Sequence, residues 1–298
     1  MSPAERAFYT AQSPTSDPGS LAPRLDPLSA EPPRVAAAVA GLLVHPVAVA
    51  RRGGTHPHAG ARDAEVRLAR ELLRRIAERD DRGLDVPRDY ARRLIGTCRH
   101  FSLLAASVFR HHGVPARLRV GFATYFVPGF HEDHWLCEYW GGDGWRLLDA
   151  QLADETTARA YSTDFGARDV PPDRFLVAGE AWRALRAGAI DAQRCGVSFV
   201  PEVRGAWFVA ASVLRDLAAL NARELLPWDY WGLARTLGAG QTVPPADAAR
   251  LDEVAALTAG RAPDWSALRS AYEGSAALRV GGTVLSFPGG APVEMPVP

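Results

Sequence analysis

Between Gly96 and Asp149 the apolar pattern changes period, and this change constrains the fold more than any other feature of the chain. In GTCRHFSLLAASVFRHHG (96–113), Leu103, Leu104, Ala105, Val108 and Phe109 recur at helical spacing, which predicts a buried helix from Cys98 to His112. Gly113-Val114-Pro115 stops it, with glycine as the C-terminal cap and proline preventing continuation. In ARLRVGFATYF (116–126) the period becomes two. Ala116, Leu118, Val120, Phe122 and Phe126 alternate with Arg117, Arg119, Gly121, Ala123 and Tyr125, a strand pattern. His134 to Trp140 reads as a second strand, Gly141-Gly142-Asp143-Gly144 as a hairpin turn, and Trp145 to Asp149 as the partner strand. A helix followed by a meander of strands predicts an α+β fold, and connections this short make the sheet antiparallel.

Around this centre the chain falls into three stretches. Residues 1–60 form an N-terminal arm and helix packed on the core, 61–155 the core, and 156–298 a mainly helical extension. Residues 1–33 are rich in Pro, Ser and Gly and read as an irregular arm, laid over the core or mobile. Helices are expected over Val35–Leu43, over Asp63–Arg79 with Val66, Ala69, Leu73 and Ile76 as one stripe, and around Tyr90–Leu94. Beyond Asp149, helices are expected at Ala181–Ala187, Ala206–Leu220, Tyr230–Leu237 with Asp229 as N-cap, Asp247–Leu257 and Asp264–Tyr272. Leu278–Phe287 reads as a terminal hairpin and the Pro-rich tail as loose.

Acidic and basic residues number 34 each, and no basic run carries interleaved aromatics, so no nucleic-acid partner is expected. No stretch of 18 apolar residues appears, and MSPAERAFYT lacks a signal-peptide core; the expectation is a cytoplasmic protein with no membrane partner. Three sparse cysteines, Cys98, Cys137 and Cys195, fit a reducing compartment. His45, His56 and His58 match no metal-ligand spacing, and neither a metal nor an organic cofactor is expected. Nothing in the sequence signals an oligomeric state.

Cys98 is the centre of any chemistry. In the first turn of a helix, unpaired backbone N–H groups and the dipole favour a thiolate; the bland alternative is one more small buried hydrophobe. Histidine is the natural base near neutrality, and His134 heads the next strand. If the glycine turn closes the hairpin, residues near 136 and 149 become cross-strand neighbours. Asp149 then lies near the same end of the strand pair as His134, where a carboxylate can hold an imidazole in one tautomer. Equally, His134 can be a turn residue and Asp149 a cap.

GTCRHFSLLAASVFRHHGVPARLRVGF resembles the nucleophile block of the bacterial transglutaminase-like superfamily, whose cysteine opens a buried helix and whose G-[IV]-P-A-R segment leads into the first core strand. HEDHWLCEYW resembles its histidine block and GWRLLDAQ its aspartate block, in the family's order. The resemblance implies a papain-like core with the catalytic set Cys98, His134 and Asp149. RGAWFVAASVLRDLAALNARELLPWDYWG (204–232) looks like the C-terminal region of an actinobacterial-type subgroup. The family's upstream side-chain donor to the oxyanion has no match here. Gln151 lies downstream and is not given that role, so the Cys98 N–H is left as one expected donor.

The implied activity is thiol-dependent acyl transfer through a Cys98 thioester, chiefly hydrolysis of an amide or peptide bond. One alternative is an amide-forming acyltransferase or cyclase acting on a thioester presented by an acyl-carrier protein. Another is a non-catalytic binding protein that keeps the fold. The partner is accordingly an amide, peptide or thioester substrate. Arg99, Tyr125, Asp133, Trp135, Trp228 and Asp229 are the candidate substrate contacts. Glu138 is expected to pair, buried, with one of the arginines, and Cys137 to be inert.

Overall fold

The structure is a computed structural model and describes residues 1–161 and 163–297. The chain divides into two compact units. One comprises Met1–Leu118 with Leu136–Val170, the other Arg119–Trp135 with Pro171–Pro298.

The first unit contains helices α1 (Pro3–Thr10), α2 (Pro32–Leu42), α3 (Pro46–Arg51), α4 (Ala69–Arg79), α5 (Cys98–His111) and α6 (Glu155–Tyr161). Two short strands, β1 (Leu43–Val44) and β2 (Leu94–Ile95), pair in parallel. The unit also holds the first residues of β3 (Ala116–Ala123), the last of β4 (His131–Trp140), and all of β5 (Trp145–Leu148).

The arm at residues 1–33 carries regular structure and is laid over the core, one of the two settings expected for it. Ser2 caps α1 through Glu5 N–H, and Gly19–Leu25 winds as a 3₁₀ helix. Tyr9 and Leu25 are fully buried, Tyr9 meets Trp145 edge-on at 5.3 Å, and Gln12 Nε2 donates to Ser107 O at 2.9 Å. The expected helix over 63–79 is not continuous. Leu68 is extended, Ala69 N–H donates to Thr15 O at 2.7 Å, and α4 starts there. The break serves Asp63, whose buried carboxylate accepts from Arg75 Nη1 (3.0 Å), Arg79 Nη2 (2.7 Å) and Ile95 N–H (3.3 Å). Residues 90–94 likewise make one 3₁₀ turn and then enter β2.

Helix α5 ends as its sequence demands. Gly113 takes φ +76, its N–H reaches Arg110 O at 3.1 Å, and Val114 N–H reaches Phe109 O at 2.9 Å, a Schellman closure. The helix lies on the sheet, with Phe109 stacked on Tyr139 at 5.0 Å and Arg110 Nε donating to Ala116 O at 3.0 Å.

In the second unit, β6 (Phe175–Val177) and β7 (Cys195–Gly196) join β3 and β4. The five-stranded sheet runs β5-β4-β3-β6, with β7 beside β4. Pairs β4–β5 and β3–β6 are antiparallel, as expected; β7 adds a parallel pair, His131 opposite Cys195. The turn at 141–144 closes with Gly141 N–H on Gly144 O at 2.8 Å.

Strand β3 departs from its half-wet pattern: all eight residues are buried. Arg117 pays for burial with Glu138, Nε to Oε2 at 2.6 Å, and its guanidinium covers the Trp145 ring at 3.9 Å. This is the arginine partner expected for Glu138. Arg119 places Nε and Nη2 on the two oxygens of Asp216 (3.1 and 3.0 Å) and donates further to Thr258 O and Gly260 O. For Arg119 the further backbone acceptors engage the donors that its ion pair leaves over, as an ion pair this deep requires.

Helices α7 (Ala178–Arg186), α8 (Ala206–Leu220), α9 (Pro245–Thr258) and α10 (Trp265–Glu273) build the rest of this unit's core. Strands β8 (Asp229–Tyr230), β9 (Thr283–Ser286) and β10 (Val293–Pro296) form a small antiparallel sheet, ordered β10-β9-β8. Two expectations fail here. Residues 230–237 are not an α-helix, because Asp229 and Tyr230 pair with β9 and only Gly232–Thr236 winds, as 3₁₀. The Pro-rich tail is not loose through its strand, because Glu294 and Met295 pair with Leu285 and Val284. No helix of the described residues is long and apolar enough to cross a membrane.

Candidate active site

Cys98 is the first residue of α5, 6% exposed, with extended Thr97 as N-cap. Its mount is built from buried polar groups on both sides of it. Gly96 N–H donates to Val44 O at 3.0 Å, fixing the approach from β2. Thr97 N–H donates to His100 Nδ1 at 3.1 Å, and Thr97 Oγ1 lies 2.9 Å from the same nitrogen. His100 Nε2 in turn donates to Val66 O at 2.8 Å. These contacts require the neutral tautomer protonated on Nε2, and burial, reinforced by the Arg99 charge, holds the imidazole pKa down at about 3. His100 thus completes a capping box in the position usually taken by Glu or Gln.

Arg99 is fully buried and donates from Nη2 to Arg67 O (2.7 Å) and from Nη1 to Val66 O (3.4 Å). Two successive residues, Arg99 and His100, therefore tie the first turn of α5 to the extended segment 66–67, and the sulfur-bearing residue is held by its neighbours. The buried Asp63 cluster supports the same segment from the side of β2.

Asp149 follows β5 in the same unit as Cys98. Cys137 pairs with Leu148, so Asp149 comes opposite Leu136 when that register is continued by one residue. Its N–H donates to Ala167 O at 2.8 Å and its Oδ1 accepts from Gln151 N–H at 3.0 Å. The carboxylate is 2% exposed and caps a 3₁₀ turn over Ala150–Ala153. Capping engages one oxygen in a direction set by the backbone, which orients the other.

His134 belongs to the stretch of β4 in the second unit, within a strand rather than a turn. It is 2% exposed and set among aromatic edges: Phe126 at 4.8 Å, Tyr125 at 6.1 Å and Phe175 at 6.4 Å between ring centroids. Tyr125 is buried beside it, stacked obliquely on Phe126 at 4.4 Å. Such a collar fixes the ring plane of the imidazole and keeps bulk water from it.

The remaining candidates have varied settings. Asp133 is half-buried; burial pushes its carboxyl up to about 7 against the pull of Arg215 and His134. Its neighbour Glu132, also raised by burial, accepts from Ser198 N–H at 3.1 Å. Trp135 is buried to 1%. Trp228 is half-buried, whereas Asp229 is wholly buried and accepts from Leu226 N–H through Oδ2 at 2.9 Å, closing the loop before β8 rather than capping a helix. His45 Nδ1 caps α3 through Val47 N–H, and His56 bridges Tyr90 O and His58 N–H, so both are spent on loop structure. Among the described residues no group of three His, Cys, Asp or Glu side chains is arranged to hold a metal ion.

A cysteine-bearing helix packed on an antiparallel sheet, between N-terminal helices and a helical C-terminal region, defines the class: a mixed α+β protein with a thiol at a helix start. Residues 48–150 match the model of the transglutaminase-like superfamily, from within α3 to just past β5, and form a domain of that superfamily. No curated protein and no solved structure was found to match the chain.

Proposed function

We propose that the protein carries out thiol-dependent acyl transfer through Cys98, with hydrolysis of an amide or peptide bond as its main outcome. The observation that carries the reading is the setting of Cys98: first residue of a capped helix, on a mount of buried hydrogen bonds, inside a transglutaminase-like domain. Thiol-based acyl transfer is the chemistry this superfamily match is consistent with.

In the proposed reaction, His134 accepts the Cys98 proton and Asp149 holds the imidazole in the tautomer that can accept it. The Cys98 sulfur attacks the carbonyl carbon, the C–N bond breaks, and His134 returns the proton to the departing amine. A thioester remains. Water then attacks it, giving its proton to His134, and the C–S bond breaks to release the acid and restore the thiol. The Cys98 N–H, in the first turn of α5, serves as one donor to the carbonyl oxygen as charge develops on it. Two features support the roles of the partners. The β4–β5 pairing runs to Cys137 opposite Leu148, the residue before Asp149, and the aromatic collar around His134 restricts the plane of its imidazole.

The test is intact-mass spectrometry of the full chain exposed to peptide anilides and, separately, to an acyl-pantetheine thioester. The expected result is a mass gain of one acyl group, lost in Cys98→Ala and slowed in His134→Ala. No gain with either donor, or a gain that survives Cys98→Ala, overturns the proposal. If the acyl group leaves only when an amine is added, the main outcome is transfer, and hydrolysis is wrong.

A further inference from the structure

The second unit holds a buried arginine whose best binding edge meets no acceptor among the described residues. Arg215, on α8, is 2% exposed. Its guanidinium faces Tyr230 at 4.8 Å and Phe208 at 5.5 Å from the ring centroids. Nε and Nη2 are both buried, and among the described residues neither has a hydrogen-bond partner. An arginine cannot discharge by losing its proton, and an uncompensated buried charge is among the costliest arrangements a fold can hold.

The identity of the two atoms is informative. Nε and Nη2 form the side-on fork of a guanidinium, two parallel N–H groups spaced to meet the two oxygens of one carboxylate. The same unit shows that edge in use, since Arg119 sets its Nε and Nη2 on Asp216 Oδ1 and Oδ2. Arg215 carries the same edge, with Tyr230 and Phe208 beside its guanidinium.

We propose that the Nε–Nη2 edge of Arg215 is a binding site for the carboxylate of a small-molecule ligand. The charge of Arg215 acts on Asp133, which forms neither a hydrogen bond nor an ion pair with it among the described residues. Because burial pushes Asp133 up to about 7, it carries only part of its negative charge near neutrality. Arg215 thus keeps an unmet demand for an anion that Asp133 does not satisfy. Tyr230 and Phe208 add apolar surface beside the fork, which suits an organic carboxylate better than a fully hydrated inorganic anion. The site is independent of the acyl-transfer reading, because Arg215, Tyr230 and Phe208 have no role in that chemistry.

The test uses the full chain and acetate as the probe, against chloride at matched ionic strength and pH, with inorganic phosphate as a second arm. The expected result is a saturable rise in Tm with acetate, weakened at least about tenfold in concentration for Arg215→Lys, which keeps the charge but not the fork. If Arg215→Lys does not fold, the Nε–Hε resonances of ¹⁵N-labelled wild-type protein decide, one of them moving saturably with acetate. Equal stabilisation of both proteins overturns the assignment to Arg215. Phosphate binding with acetate inert overturns the carboxylate class. No specific effect of either anion leaves solvent as the acceptor and overturns the site.

Discussion

His100 offers the sharpest check on the mount beneath Cys98. Its ring accepts from Thr97 N–H and donates to Val66 O, an arrangement only the neutral imidazole can make. Burial holds its pKa at about 3, against an ordinary 6.5. Below pH 6.5 the unfolded chain therefore takes up a proton that the folded protein refuses, and stability falls with falling pH until about pH 3. At 1.36 kcal/mol per unit, lowering the pH from 7 to 5 costs about 2 kcal/mol through this group alone. Other groups titrate in the same window, so the informative quantity is a difference between proteins. His100→Gln can keep both hydrogen bonds, Oε1 accepting and Nε2 donating, while removing the titration. Urea unfolding of wild type and variant at pH 5, 6 and 7 should give a stability gap that shifts by about 2 kcal/mol in favour of the variant at pH 5. A gap constant across the three pH values would refute the neutral, buried His100.

Asp133 should bend the profile the other way. Its folded carboxyl is pushed up to about 7, so its contribution is present below its ordinary 3.8 and is lost as pH rises toward 7; Asp133→Asn should flatten that fall, by less than about 4 kcal/mol in urea melts across the window. Iodoacetamide under native conditions should add one group by intact mass, on Cys98, because Cys137 and Cys195 are fully buried and burial pushes the Cys195 thiol up to about 12; adducts on Cys98→Ala would contradict this. Arg117→Met should cost about 3–5 kcal/mol by stranding the Glu138 carboxylate, and adding Glu138→Leu should restore much of it, as read by Tm. Gly121→Ala should loosen β3 from β6, since a Cβ there would come 2.2 Å from Leu176 O and 2.8 Å from Val177 Cα; hydrogen exchange at 121–123 should accelerate at least tenfold.

The parts legible in the sequence were those governed by local rules. Helix α5 ends within a residue of its predicted limit because Gly113 and Pro115 act on their own backbone. The 141–144 turn puts residues 137 and 148 across from each other, within a residue of the expected 136 and 149, because a hairpin's register follows from its loop. Helix α8 matched at both ends. The failures share a cause: the deciding partner lies far along the chain. Arg117 and Arg119 look like a wet strand face until Glu138 and Asp216 are in place. Leu68 breaks an otherwise good helical stripe because Asp63 is committed to Arg75 and Arg79. Asp229 resembles a cap, yet its neighbours are claimed by β9. The candidate site divided the same way. Cys98 at a helix start and Asp149 after the hairpin were readable, whereas the collar around His134 and the bare edge of Arg215 arise from residues that no spacing connects.

The division of the chain has a consequence for how such a protein can be recombined. The first unit gives up the chain after Leu118 and takes it back at Leu136, so the second unit owns a loan of 17 residues from the middle of the recognisable domain. A fragment cut after Val170 would still contain Arg119, but without Asp216, Thr258 and Gly260, acceptors that Arg119 reaches through its fork and Nη1. The stranded guanidinium would then sit in the middle of β3. Residues 48–150 are therefore not a cassette that can be lifted out or transplanted with two cuts. Any inheritance or engineering of this scaffold has to move the C-terminal half together with the strand it neutralises.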